Sequence, residues 1–378
     1  MHEIWQAEQI FDGQTLHSGA ALVTKDSRFV DLCDAGATID GAVVHDLGPG
    51  VLCPGFLDLQ VNGGGGVLLG QGDPFEAICT ICATHGRLGS LGVMPTLITS
   101  DAPTMHAVLA AARRAVAEGV PGFQGLHLEG PFLDPARKGA HDADLIRPMT
   151  EGDLLALVAV AQDLPALMVT VAPKNASHDQ IGALAAAGVV VSLGHTDATD
   201  AQARAAISAG ATCVTHLYNA MSPLHHRAPG LVGAALDTPV WSGIIPDGIH
   251  VAATAFRIAV QAKPGKIFAV SDAMAVAGTD IATFTLNGRQ IRRQDGQLTL
   301  SDGTLAGADI TLPQAVRWMV ERAGIALEQA LAMVTSIPAQ VIDRPEMGRF
   351  VPGAPADLVH LDNAFEVQGV WRSGVPVL

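Results

Sequence analysis

One stretch limits the fold more than any other. Residues 189–221 read VVVSLGHTDATDAQARAAISAGATCVTHLYNAM. Two apolar, β-branched runs, Val189–Ser192 and Ala211–Val214, have the pattern of strands buried on both faces, as in parallel sheets. One helical segment, Ala198–Ala209, lies between them, opened by Thr196 or Asp197 and closed at Gly210. Each strand runs into a polar cluster with one histidine, His195 and His216. Neighbouring parallel strands lie about 4.8 Å apart, so imidazoles at matching ends can share one ion. The carboxyl ends of such strands are where barrel folds keep their sites. A single histidine in this setting is usually a satisfied structural imidazole. Two in register, with carboxylates in the same setting elsewhere, favour a metal site.

The same alternation fills the middle of the 378-residue chain. Eight candidate strands are Gly55–Gln60, Val93–Ile98, Gln124–Glu129, Leu167–Ala172, Val189–Leu193, Ala211–Thr215, Trp241–Ile245 and Lys266–Ser271. Helical patterns lie among them, such as Thr104–Glu118, Asp153–Gln162 and His178–Ala187. Eight strand–helix units predict an α/β fold, a (β/α)8 TIM-like barrel over residues 53–347. Phe284–Leu300 reads as an inserted hairpin turning at Asn287-Gly288, followed by helices at Asp309–Ala323 and Leu327–Thr335. Residues 1–52 and 348–378 are short strands and turns, and neither end makes a good sheet alone. They are expected to pair into one small β-sandwich module.

Composition closes off other classes. The chain is 49% apolar, enough for a large core, and no apolar run has the length of a membrane span. The first residues, MHEIWQAEQIFDG, lack the basic-then-apolar layout of a secretion signal, so a cytoplasmic protein is expected. A net charge of −15 argues against nucleic acid but not against a small anion, which needs only a few local donors. The five cysteines are odd in number and scattered, as reduced thiols are. Cys79 and Cys82 form a CxxC in a helical pattern with no second ligand pair, which is core packing rather than a zinc or redox site.

Polar groups gather at the predicted strand ends. Strand one ends in Asp58-Leu59-Gln60-Val61-Asn62, whose polar members share a face. Strand three ends in His127-Leu128-Glu129, and a carboxylate pointing into a barrel is costly unless paired or metal-bound. Strand seven leads to Asp247-Gly248-Ile249-His250 and strand eight to Ser271-Asp272. Glu129, His195, His216 and Asp272 therefore converge on one rim. One glutamate and two histidines suit a divalent ion with open positions, and Asp272 stands to take a proton from water there. His127 is expected to be a hydrogen-bonded interior residue.

These motifs resemble the amidohydrolase superfamily and, within it, the N-acetylglucosamine-6-phosphate deacetylases. The matching segments are PGFLDLQVNG (54–63), HLEGPF (127–132), KGAH (138–141), LGHTDA (193–198), THLYNAM (215–221), DGIH (247–250), SDAM (271–274), LAG (305–307) and GRFVPGAPADLVHLD (348–362). The resemblance implies hydrolysis of the acetamide of N-acetyl-D-glucosamine 6-phosphate. It implies Glu129, His195 and His216 as metal ligands, Asp272 as general base and then acid, and His141 as the group that orients and polarises the carbonyl. Ala140, Asn219, Ala220, Arg227, His250, Leu305, Ala306 and Gly307 would hold the sugar phosphate. The superfamily's first strand usually carries His-x-His for a second metal; here those positions are Gln60 and Asn62. Amides bind zinc-like ions poorly, so one ion per subunit is expected, Zn2+ ahead of Fe2+, Co2+ or Mn2+. The resemblance also implies a homodimer. Alternatives are the galactosamine epimer as substrate, another one-metal amidohydrolase such as a nucleobase deaminase, and a non-catalytic barrel scaffold.

Overall fold

The computed structural model describes all 378 residues. At its centre eight parallel strands run in sequence order: β1 (Leu57–Val61), β2 (Gly92–Ile98), β3 (Leu126–Glu129), β4 (Leu167–Val171), β5 (Val190–Leu193), β6 (Cys213–Val214), β7 (Trp241–Ile244) and β8 (Ile267–Ala269). Seven consecutive pairs are hydrogen-bonded. The ring closes just beyond β8, where Val61 bridges Ala273 and the Asp272 amide donates to the Gln60 carbonyl at 3.0 Å. All eight expected strands exist, with ends shifted by one or two residues.

Helices follow the strands: α1 (Pro74–Arg87), α2 (Ala102–Ala117), α3 (Glu151–Ala161), α4 (His178–Ala186), α5 (Asp200–Ala209), α6 (Gly230–Asp237), α7 (Ala253–Ala262) and α8 (Leu312–Glu321). Local chemistry sets their starts. Thr150, Ser177, Thr199 and Thr311 each form a reciprocal capping box that satisfies orphan N–H groups of the first turn. Helix α5 begins after Thr199 rather than at Thr196 or Asp197. Thr199 pairs with Gln202 three residues on, whereas the Thr196–Met221 bridge ties Thr196 to the segment after β6.

The chain ends do pair. Leu358–Leu361 lies antiparallel to Val51–Pro54, which runs parallel to Gln9–Phe11. This six-stranded sheet faces a four-stranded one built from residues 2–46, with Trp5, Ile10, Leu22, Phe29 and Leu358 buried in the same cluster. The barrel core includes Phe11, Val51, Val359 and Val370, so the end sheets are packed onto the barrel.

The insertion after β8 is larger than a hairpin. It forms a four-stranded meander, Thr283–Leu286, Arg289–Gln294, Gln297–Thr299 and Leu305–Ala308. The first turn is Asn287-Gly288 as expected. The last strand comes from the weakly patterned LAG segment, which sequence periodicity does not mark. The meander has its own buried cluster around Leu286, Ile291 and Leu298, with Ile98 and Ala140 packed against it.

Below the rim the barrel interior is partly polar. His127 donates from Nδ1 to the Leu59 carbonyl at 3.1 Å, and its Nε2 meets Thr170 Oγ1 at 2.7 Å. Thr170 continues to Thr215 and Thr215 to Ser192. His127 is thus the satisfied interior histidine expected of it.

Candidate active site

A cavity of about 770 Å3 opens over the carboxyl ends of the strands. Glu129, His141, His195, His216 and Asp272 line it, with Ala140, Asn219, Ala220, His250 and Leu305–Gly307. Arg227 does not: it lies in an exposed loop away from the cavity wall.

Three atoms converge at its floor. His216 Nε2 is 2.9 Å from Glu129 Oε1, His195 Nε2 is 3.2 Å from the same oxygen, and the two nitrogens are 3.0 Å apart. His195 Nδ1 lies 2.9 Å from the Arg137 carbonyl, which can only accept. In neutral His195 the proton is therefore on Nδ1 and Nε2 presents a lone pair. Glu129 Oε1 is an acceptor too. A neutral His216 adds at most one N–H to this triangle. A tetrahedral zinc-like ion with ligand bonds of ~2.0–2.1 Å needs donor atoms about 3.3 Å apart. The residues fit a bound divalent cation.

His141 stands beside this triangle, and its Nε2 is 3.8 Å from Glu129 Oε2. Distance alone would group it with Glu129 and His195 as a ligand. Its other nitrogen argues otherwise. The Thr99 main-chain N–H donates to His141 Nδ1 at 3.3 Å, and Thr99 Oγ1 is 2.8 Å away. With Nδ1 accepting, neutral His141 carries its proton on Nε2, making that atom a donor toward the cavity. Burial also opposes its charge and lowers its pKa to about 3.

The two carboxylates differ. Burial works against the charge of Glu129, but the imidazoles of His195 and His216 beside it outweigh that and hold the carboxyl well below the usual range. Asp272 is pushed up to about 6, first by burial and then by the negative charge of Glu129. Asp58 lies deeper, wholly buried, and burial pushes it up to about 7.

Backbone strain concentrates here. His195, His216 and Asp272 all have positive φ, at +44°, +29° and +49°. Non-glycine residues persist there only when their surroundings enforce it. Each follows its strand and is turned onto the rim. Gly307, at φ +67°, brings the meander against this rim; a Cβ on it would sit 2.8 Å from the Asp272 carbonyl.

Some contributors were not singled out from sequence. Thr99 orients His141, and the only signal for it is a threonine just past the end of β2. Lys138, Asp302 and Thr304 add polar groups to the cavity wall. Arg289, on the meander, donates to the Ala140 carbonyl. That pairing spans 149 residues, and no local pattern encodes it.

A closed parallel barrel with cation-ready donors on its carboxyl rim defines a class, the metal-dependent hydrolase barrels. The chain belongs to the amidohydrolase family, which matches residues 51–377. Among curated proteins it is similar to an N-acetylgalactosamine-6-phosphate deacetylase of Shewanella sp., 36% identical over 91% of this chain and 88% of that one. It is also similar to the N-acetylglucosamine-6-phosphate deacetylase of Mus musculus, 36% identical over 87% of this chain and 84% of that one. Among solved structures, the N-acetylglucosamine-6-phosphate deacetylase of Pasteurella multocida matches with a TM-score of 0.95 and 32% identity, covering 100% of this chain and 99% of that one.

Proposed function

We propose that this chain is a metal-dependent deacetylase that hydrolyses N-acetyl-D-glucosamine 6-phosphate to D-glucosamine 6-phosphate and acetate, a step of amino-sugar breakdown. The observation that carries this reading is the Glu129–His195–His216 triangle beneath a cavity that also holds Asp272 and a donating His141. The family match and the named relatives support it.

A divalent cation held by Glu129, His195 and His216 would polarise the acetamide carbonyl and make a neighbouring water acidic. Asp272 takes a proton from the attacking water as the new C–O bond forms. It delivers that proton to the nitrogen as the C–N bond breaks, so the amine leaves neutral. His141 Nε2–H donates to the carbonyl oxygen as negative charge grows on it. Ala140, Asn219, Ala220, His250 and Leu305–Gly307 hold the sugar phosphate, which positions the acetamide for attack. His250 is itself held by Asp247, at 2.6 Å.

We read the ion as zinc, which suits a mixed imidazole and carboxylate set; Fe2+, Co2+ and Mn2+ accept the same donors. We also propose that residues 1–52 with 348–378 act as a β-module around a catalytic barrel of residues 53–347, and that the protein is a cytoplasmic homodimer. Its five unpaired cysteines support that location. No helix is long and apolar enough to cross a membrane. Arg227 is assigned to the phosphate. Because it lies off the cavity, it serves there only after its loop closes or when a neighbouring subunit delivers it.

Replacing Arg227 with Ala is expected to raise KM for the phosphorylated sugar by about 10- to 100-fold, the scale of one charge-assisted hydrogen bond. Kinetics with N-acetylglucosamine itself provide the check. An equal rise for both sugars would remove Arg227 from phosphate recognition. The galactosamine epimer is a second reading, favoured by the relatives named for that sugar. Acetate release measured on both epimers, each as its 6-phosphate, decides between them.

A further inference from the structure

We infer that Gln60 and Asn62 are positioning residues that fix which oxygen of Asp272 carries the proton. The inference rests on the role of Asp272 proposed above. Glu129 and Asp272 are buried carboxylates on one rim. Gln60 Nε2 lies 3.1 Å from Glu129 Oε1 and 3.2 Å from Asp272 Oδ1. Asn62 Nδ2 lies 2.7 Å from the same Asp272 Oδ1 and 3.3 Å from the Asp272 carbonyl. Two donors thus hold Oδ1, while Oδ2 accepts no hydrogen bond from the chain.

The chemistry suits amides. A primary amide has two N–H bonds on one nitrogen, so Gln60 can give one to each carboxylate. A hydroxyl has one proton and could serve only one of them. The pair also adds no charge beside the ion site. Asn62 turns its N–H groups to Asp272 and leaves its own Oδ1 buried without a partner. The reverse orientation would set carbonyl oxygen against carboxylate.

Main chain fixes the aim. The Asn62 N–H donates to the Ala273 carbonyl at 2.8 Å, and the Asp272 N–H to the Gln60 carbonyl at 3.0 Å. The seam that closes the barrel therefore sets both amides against Asp272. Hydrogen bonds to a charged group are strong enough to choose one carboxylate rotamer over the other. With Oδ1 occupied, Oδ2 is the oxygen that meets the reacting water and then the leaving nitrogen.

Gln60→Met and Asn62→Leu keep side-chain bulk and remove the donors. Each should lower kcat by about 10- to 100-fold, the worth of one such hydrogen bond, with KM for N-acetylglucosamine 6-phosphate changed less than about 3-fold. Bound metal should stay near one per chain, and crystals of the metal-free variants should show the Asp272 carboxylate turned from its wild-type rotamer. Asn62→Gln, which retains an amide, should recover part of the kcat. Unchanged kcat in both donor-free variants, or a loss that follows metal content or KM, would overturn the inference. An inactive wild type would instead overturn the deacetylase reading on which it rests.

Discussion

Asp272→Asn is expected to keep its metal and lose nearly all turnover. General acid–base catalysis contributes roughly 100- to 10,000-fold, and here one group serves both halves of the proton transfer. The asparagine side chain has the same shape but cannot take up a proton near neutrality. Its orientation is also forced. Gln60 and Asn62 direct N–H groups at the Oδ1 position, so the asparagine must place its carbonyl oxygen there and its NH2 toward the cavity. A donor then stands where an acceptor is needed. KM should change little, since Asp272 is assigned to the reacting centre rather than the sugar phosphate. Steady-state rates with metal counted in the same sample check this, and wild-type-like turnover would exclude Asp272 as the proton carrier.

Glu129→Gln is expected to empty the metal site. The carboxylate oxygen is the only anionic member of the triangle, 2.9 and 3.2 Å from the two imidazole nitrogens. An amide oxygen brings no net charge to offset the dication. Loss of an outer-shell partner alone costs about 10- to 100-fold in metal affinity, and loss of a direct ligand should exceed that. Elemental analysis after dialysis should find the variant nearly metal-free while wild type retains its ion. The fold should survive, because the substitution also removes a buried charge. Near-stoichiometric metal in the variant would mean that Glu129 is not a ligand and would return His141 to the ligand set.

Much of this architecture was readable without coordinates, for a physical reason. Parallel strands buried on both faces are apolar throughout, and a polar residue at their carboxyl end breaks that pattern visibly. Glu129, His195, His216 and Asp272 each stand at such a break, and the cavity gathers all four. Contacts between segments distant in sequence were not readable. Periodicity reports which face a residue takes, not which remote backbone it meets. The Thr99–His141 and Arg289–Ala140 hydrogen bonds are of that kind. So are the positive φ values at His195, His216 and Asp272, which no local pattern in the sequence announces. The meander was half legible: Asn287-Gly288 marks its first turn, but its last strand is the short, small-residue LAG. Gln60 and Asn62 were legible as a departure from His-x-His, yet only the structure shows their donors aimed at Asp272.

Acetate release from N-acetylglucosamine 6-phosphate, followed before and after chelation with metal counted per chain, is the most direct measurement. A single glutamate and two histidines call for about one ion per chain. Release should cease when that ion is removed and return when a divalent ion is restored. Release that persists in metal-free protein, or none from either hexosamine epimer with the ion bound, would contradict the assignment.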